Sequence, residues 1–160
     1  KINNYGISQA SGDIISVMDG DMLLPENFLQ SLSAYHNSGE RIVNLHRLNA
    51  AYPVGVKTFT AWKAATIDYK KTLRASPRGL AKLPDFVDNI GPMISAKRAY
   101  WDMVEGYDES PIFATSASKA GLDTCTRLSI AAKVKNTVLP GMVAAHPWHP
   151  IGYAHAARIH

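Results

Sequence analysis

The stretch SVMDGDMLLPENF holds two carboxylates, Asp19 and Asp21, one residue apart across Gly20. They follow DIISVMD, a compact apolar run rich in β-branched residues, which reads as a fully buried strand. In open α/β sheets ligands bind at the carboxyl ends of strands. Carboxylates crowded there are costly unless something neutralises them. A divalent cation does so, and Asp oxygens suit hard Mg2+ or Mn2+. Gly20 leaves room for a diphosphate to approach the backbone. The competing reading is a plain turn, since Asp-Gly is a common turn dipeptide.

Three further groups carry chemistry. In HPWHP, His146 and His149 stand three apart between prolines, which rules out a regular helix and holds the segment extended. One of these two imidazoles would complete a metal site begun by the aspartates. The alternative is a histidine-rich tail with Trp148 packed into a groove. An all-histidine zinc site through His146, His149, His155 and His160 matches no familiar zinc spacing. In GLDTCTRL, Asp123 precedes a predicted helix. There it reads either as an N-cap or as a general base facing the same crevice. In EGYDES, Asp108 and Glu109 follow a glycine and read as a turn.

These groups need elements to position them. Residues 2–11 predict a short polar helix ended by Gly12 in a left-handed cap. Pro25 suits a first helical position, and Phe28, Leu29, Leu32 and Tyr35 recur at helical spacing up to Gly39. RIVNLHRL predicts a strand, 60–75 a helix, NIGPMISA a strand and KRAYWDMV a brief helix. Residues 110–120, small and polar, predict a mobile loop. DTCTRLSIAAK predicts a helix and VKNTVLP a last strand, before a tail with four of the six histidines. The alternation implies an α/β layer architecture.

Composition narrows the function. The 160 residues suit one domain, 46% apolar and 19% charged. No apolar run approaches the ~18 residues that span a bilayer. The opening residues have no apolar signal-peptide core, and Cys125 is the single cysteine. A cytoplasmic protein is expected, free or peripheral at the inner face of a membrane. The net charge of +4 is uneven: across 57–82 seven basic residues face one acid, Asp68. That segment is a solvated face or a surface for anions. Its aromatics, Phe59, Trp62 and Tyr69, fall at core-like spacing, so no nucleic-acid partner is expected.

In order, NNYGISQASGDIISVMDGDMLLPENF, NIGPMISAKRAYWDMVEGYDES, GLDTCTRLSIAAK and HPWHP resemble the family 2 glycosyltransferases of GT-A fold. The resemblance spans most of Asn3 to Pro150 and rests on order and spacing, not on one motif. It implies a Rossmann-like mixed sheet flanked by helices, a single catalytic domain over residues 1–160. It implies an inverting transferase of hexosyltransferase type that moves a sugar from a nucleotide-sugar, a UDP-sugar first, to a hydroxyl of a glycan or other acceptor. Asp19 and Asp21 resemble the Asp-x-Asp pair holding Mn2+ or Mg2+ on the donor diphosphate. Asp123 falls at the acceptor-deprotonating acid, His146 at a C-terminal metal ligand, and Asp108 with Glu109 at the turn bordering the acceptor. Two positions depart from the pattern. Leu122 replaces the acid that often precedes Asp123, and Glu105-Gly106 stands where two glycines are usual.

The resemblance begins after the family's base-clasping half, which implies roughly 80–100 preceding residues at about 30 per βαβ unit. Without them, the Ile14–Met18 strand would have an unpaired edge, and self-association or a strand-supplying partner is expected. The rival reading is a non-catalytic GT-A-like module. A metal-dependent hydrolase lacks a nucleophile motif here.

Overall fold

The computed structural model describes residues 1–20, 22–50, 93–113 and 117–147. In chain order these form α1 (Ile2–Gln9), β1 (Ile14–Met18), α2 (Phe28–Asn37), β2 (Ile42–Ala50) and β3 (Met93–Lys97). Then follow α3 (Arg98–Val104), a 3-10 turn at Pro111–Phe113, α4 (Ala117–Ala132) and β4 (Asn136–Pro147). The basic segment 57–82 and the helix expected over 60–75 lie outside the described residues.

The strands form one mixed sheet in the order β1-β3-β2-β4. β3 runs antiparallel to β1 and β2, while β4 is parallel to β2. β1, β2 and β4 therefore point the same way, and their carboxyl ends share one rim of the sheet. β1 stands at one end of the described order, with β3 as its described neighbour.

Strand alternation divides the core between two faces. Ile15, Ile42, Ile94 and Ala96 point to one face, where Tyr100, Trp101, Cys125 and Leu128 cover them. Ile7, Val104 and Tyr107 pack against the same cluster. Val43, Leu45 and Met93 point to the other face, under Phe28 and Leu32 of α2 and beside Leu139 and Ala144. Helices thus lie on both faces of the sheet, an α/β architecture.

Most polar residues in this core are bonded in sets, while Thr124 Oγ1 and Ser129 Oγ on α4 are buried with no hydrogen-bond partner among the described residues. Asn44 Nδ2 donates to Asn136 Oδ1 beside the Cys125 thiol. On the α2 face, Ser16 Oγ donates to Ser95 Oγ at 2.8 Å, and Ser95 Oγ lies 2.9 Å from His36 Nε2. Paired in this way, buried polar atoms avoid the cost of lost hydration.

Several local expectations are corrected. α1 ends at Gln9, with Ala10 extended and no left-handed conformation at Gly12. Pro25 lies in a turn closed by the Phe28 N–H on its carbonyl, and α2 starts at Phe28. The loop expected over 110–120 is shorter, since α4 already begins at Ala117. β4 continues through Pro140 and Gly141 to Pro147. A bulge makes this continuation workable. Asn44 pairs with Val138 but His46 pairs with Val143, so β4 carries four residues where β2 has one, with Gly141 at φ 69° and Leu139 still in the core. Among the described residues no helix is long and apolar enough to cross a membrane.

Candidate functional site

Chain direction decides which ends meet. β1 runs toward the shared rim and delivers Asp19 there, exposed. β3 runs away from it. α3 begins at the far rim, where the Arg98 N–H bonds the Asp13 carbonyl at 2.8 Å. α3 then returns; its seven residues rise about 10 Å. The turn that follows, residues 105–110, is thereby brought back to the Asp19 end. α4 leads into the far end of β4, so its first turns also lie toward the shared rim. Three elements converge by topology alone: the β1 end with Asp19, the EGYDES turn, and the first two turns of α4, whose one acid is Asp123.

The turn is built by two left-handed residues, Glu105 at φ 55° and Gly106 at φ 77°. They stop α3, and the Gly106 N–H bonds the Trp101 carbonyl at 3.1 Å. A side chain at Gly106 would collide with Asn4 Oδ1. Glycine is therefore required twice, for φ and for space. Asn4 pairs with the Tyr107 backbone as another peptide would: Nδ2 donates to the carbonyl at 2.8 Å, and Oδ1 accepts the N–H at 2.7 Å. The same Nδ2 reaches Glu109 Oε1 at 2.9 Å. This bond holds the Glu109 carboxyl below its ordinary range. Asp108 accepts the Ser110 N–H at 2.7 Å, which also depresses its carboxyl.

The Tyr107 ring stacks on Trp101 with centroids 5.8 Å apart, and Trp101 Nε1 donates to the Ile15 carbonyl on β1. Burial, then the nearby Cys125 and the negative charge of Asp19, push the Tyr107 phenol well up. The phenol thus stays a neutral donor close to the Asp19 carboxylate. Burial likewise pushes the Cys125 thiol up to about 12, so it is no nucleophile at neutral pH.

Asp123 is not an N-cap. It lies in the interior of α4, six residues past its start, where Arg127 Nε donates to its Oδ2 at 2.7 Å. The two other Arg127 nitrogens donate to the carbonyls of Val104 at 2.8 Å and Gly106 at 2.9 Å. One guanidinium thus joins Asp123 to the turn.

A Cβ at Gly20 would meet nothing among the described residues, so packing there does not require a glycine. Asp21 and His149 lie outside the described residues. His146 is placed only by its backbone, at register with Asn49 near the carboxyl end of β4. It shares the rim with Asp19 but stands three strand positions away, about 14 Å across the sheet. The described strands do not bring the two together. Among the described residues no group of three His, Cys, Asp or Glu side chains forms a metal-holding cluster.

Sequence reasoning passed over Asn4, Tyr107 and Arg127. Only Arg127 carried a readable signal, its i,i+4 spacing from Asp123. No protein-family model matches the chain, and no curated protein matches it.

Proposed function

We propose that the chain is part of a metal-dependent inverting glycosyltransferase of GT-A type, which moves a sugar from a nucleotide-sugar to a hydroxyl acceptor. The observation that supports this reading is the convergence of the β1 end, the EGYDES turn and the opening of α4 on one rim. Asp19 is exposed there as a hard oxygen donor, and the glycine beside it borders open space. These residues fit a divalent cation on a diphosphate. Asp19 and Asp21 would hold Mn2+ or Mg2+, whose chemistry is to offset charge on the leaving diphosphate. His149 is proposed as a further ligand ahead of His146, whose place on β4 is about 14 Å across the sheet from Asp19.

Asp123 would take the proton of the attacking hydroxyl, a contribution of ~100–10,000-fold. Its Oδ2 is bonded by Arg127, which leaves Oδ1 for the acceptor. Asp108 and Glu109 would border the acceptor. Tyr107, kept protonated, can donate beside the Asp19 carboxylate.

A second reading, a non-catalytic GT-A-like module, is favoured by the same Asp123–Arg127 pair, because a carboxylate already engaged makes a poorer base. Calorimetry with Mn2+ and UDP separates the two. The transferase reading expects UDP binding that requires the metal and is lost in Asp21→Asn. Wild-type protein that binds neither Mn2+ nor UDP overturns it.

A further inference from the structure

The turn between α3 and α4 is held from two sides by side chains distant in sequence. Asn4 grips the Tyr107 backbone at both its N–H and its carbonyl. Arg127 grips the carbonyls of Val104 and Gly106 and, with its third nitrogen, Asp123. Both gripping groups are partly buried, and each directs its polar atoms at the turn. Neither is needed to fill the core, which Trp101, Cys125 and Leu128 supply. A planar guanidinium suits such a grip. Its donors diverge in a fixed fork, so three acceptors are set at fixed relative positions.

We propose that Arg127 and Asn4 are positioning residues that preset the 105–110 turn and fix it relative to Asp123. The proposal rests on the transferase reading only for what the turn faces, an acceptor hydroxyl; the clamp itself is a property of the described chain. Glu105 sits in the left-handed region, which is costly for a non-glycine residue, while Gly106 adopts it freely. The two grips offset the cost at Glu105 before any ligand arrives, so a ligand need not supply the free energy that orders the turn.

Hydrogen exchange of the full chain, resolved by residue, tests this in Arg127→Met and Arg127→Lys. Met keeps the apolar stem and removes the fork. Lys restores the charge and can pair with Asp123, but it cannot span the two carbonyls. Amides of Glu105 to Ser110 should exchange roughly tenfold faster or more in both variants, with β2 and β3 unchanged. Rescue by Lys overturns the fork argument, because charge alone would then suffice. Wild-type exchange in Arg127→Met, or acceleration spread evenly over the sheet, overturns the positioning role. With Mn2+ and UDP as probes, Arg127→Met should bind as wild type does, since the clamp acts on the acceptor side. Affinity that falls as the turn loosens overturns that side assignment. A wild type that binds neither probe ends the transferase reading, while the exchange result still decides the clamp.

Discussion

The two faces of the sheet are held by different means. On the α1, α3 and α4 face, directional bonds cross long stretches of chain. Asn4 reaches Tyr107, Arg98 reaches the carbonyls of Ala10 and Gly12, Trp101 reaches Ile15, and Arg127 reaches Val104 and Gly106. On the α2 face, Phe28 and Leu32 rest on Val43, Leu45 and Met93, and one polar chain, Ser16–Ser95–His36, crosses the strands. Apolar burial is non-directional and supplies energy without fixing orientation. Hydrogen bonds contribute less net energy each but fix angles. The candidate rim draws its turn and its helix from the laced face, where orientation is specified.

The contrast breaks first at Trp101. It is almost fully buried, stacks on Tyr107 and donates to β1. Trp101→Ala should cost about 3–5 kcal/mol, and Leu32→Ala on the other face about 2–4 kcal/mol. The sharper pair is Trp101→Phe against Leu32→Met. Trp101→Phe removes the Nε1 bond to the Ile15 carbonyl and leaves a small cavity, together about 1–3 kcal/mol. Leu32→Met conserves volume and should cost under about 1.5 kcal/mol. Urea denaturation at unchanged slope reads each value. Equal losses for the conservative pair would show that directional bonds do not distinguish the faces.

A second, smaller effect isolates the turn. Gly106→Ala should cost about 2–3 kcal/mol, part from the left-handed backbone and part from collision with Asn4 Oδ1. In an Asn4→Ala background the collision is gone and only about 1 kcal/mol of backbone strain should remain. A double-mutant cycle measures the difference as coupling. Additive losses would mean that Asn4 moves aside freely and grips nothing.

Much of this fold was legible and its lacing was not. DIISVMD, RIVNLHRL, NIGPMISA and KRAYWDMV announce β1, β2, β3 and α3, because buried strands and helix faces carry their apolar pattern locally. The opening of α4 was hidden because Ala117 to Gly121 is small and polar, a composition that loops share. Yet Ala and Lys are good helix formers, and packing of Cys125 and Leu128 extends the helix upstream. β4 was cut short at Pro140 because Pro-Gly normally ends a strand; here a bulge absorbs it. At the site, strand-end placement of Asp19 was readable from periodicity. The interior position of Asp123 was not, since it follows from where α4 begins. The Asn4 grip joins residues 103 apart, and no local pattern reports such a pair.

The smallest expected effect belongs to the polar chain of the α2 face and depends on pH. His36 is buried against Ser95, and its pKa is lowered, first by burial and then by the positive charges of Arg41 and Lys97; Glu40 acts the other way. A base whose folded pKa lies below its unfolded value binds protons more readily when unfolded. Stability contributed by neutral His36 is therefore present above about pH 6.5, the ordinary histidine value, and is lost as pH falls below it. The loss stops once pH passes the folded pKa. The depressed carboxyls of Glu40, Asp108 and Glu109 lose their contribution only below about pH 4.5, so among the described residues the window between about pH 6.5 and 5 belongs to His36. Wild-type stability should decline through that window, and His36→Gln, which keeps a bond to Ser95 without titrating, should stay flat there. Asn4→Ala and Arg127→Met, on the other face, should decline as wild type does. The same decline in His36→Gln would show that the α2 face carries no titrating latch, and that burial alone holds it.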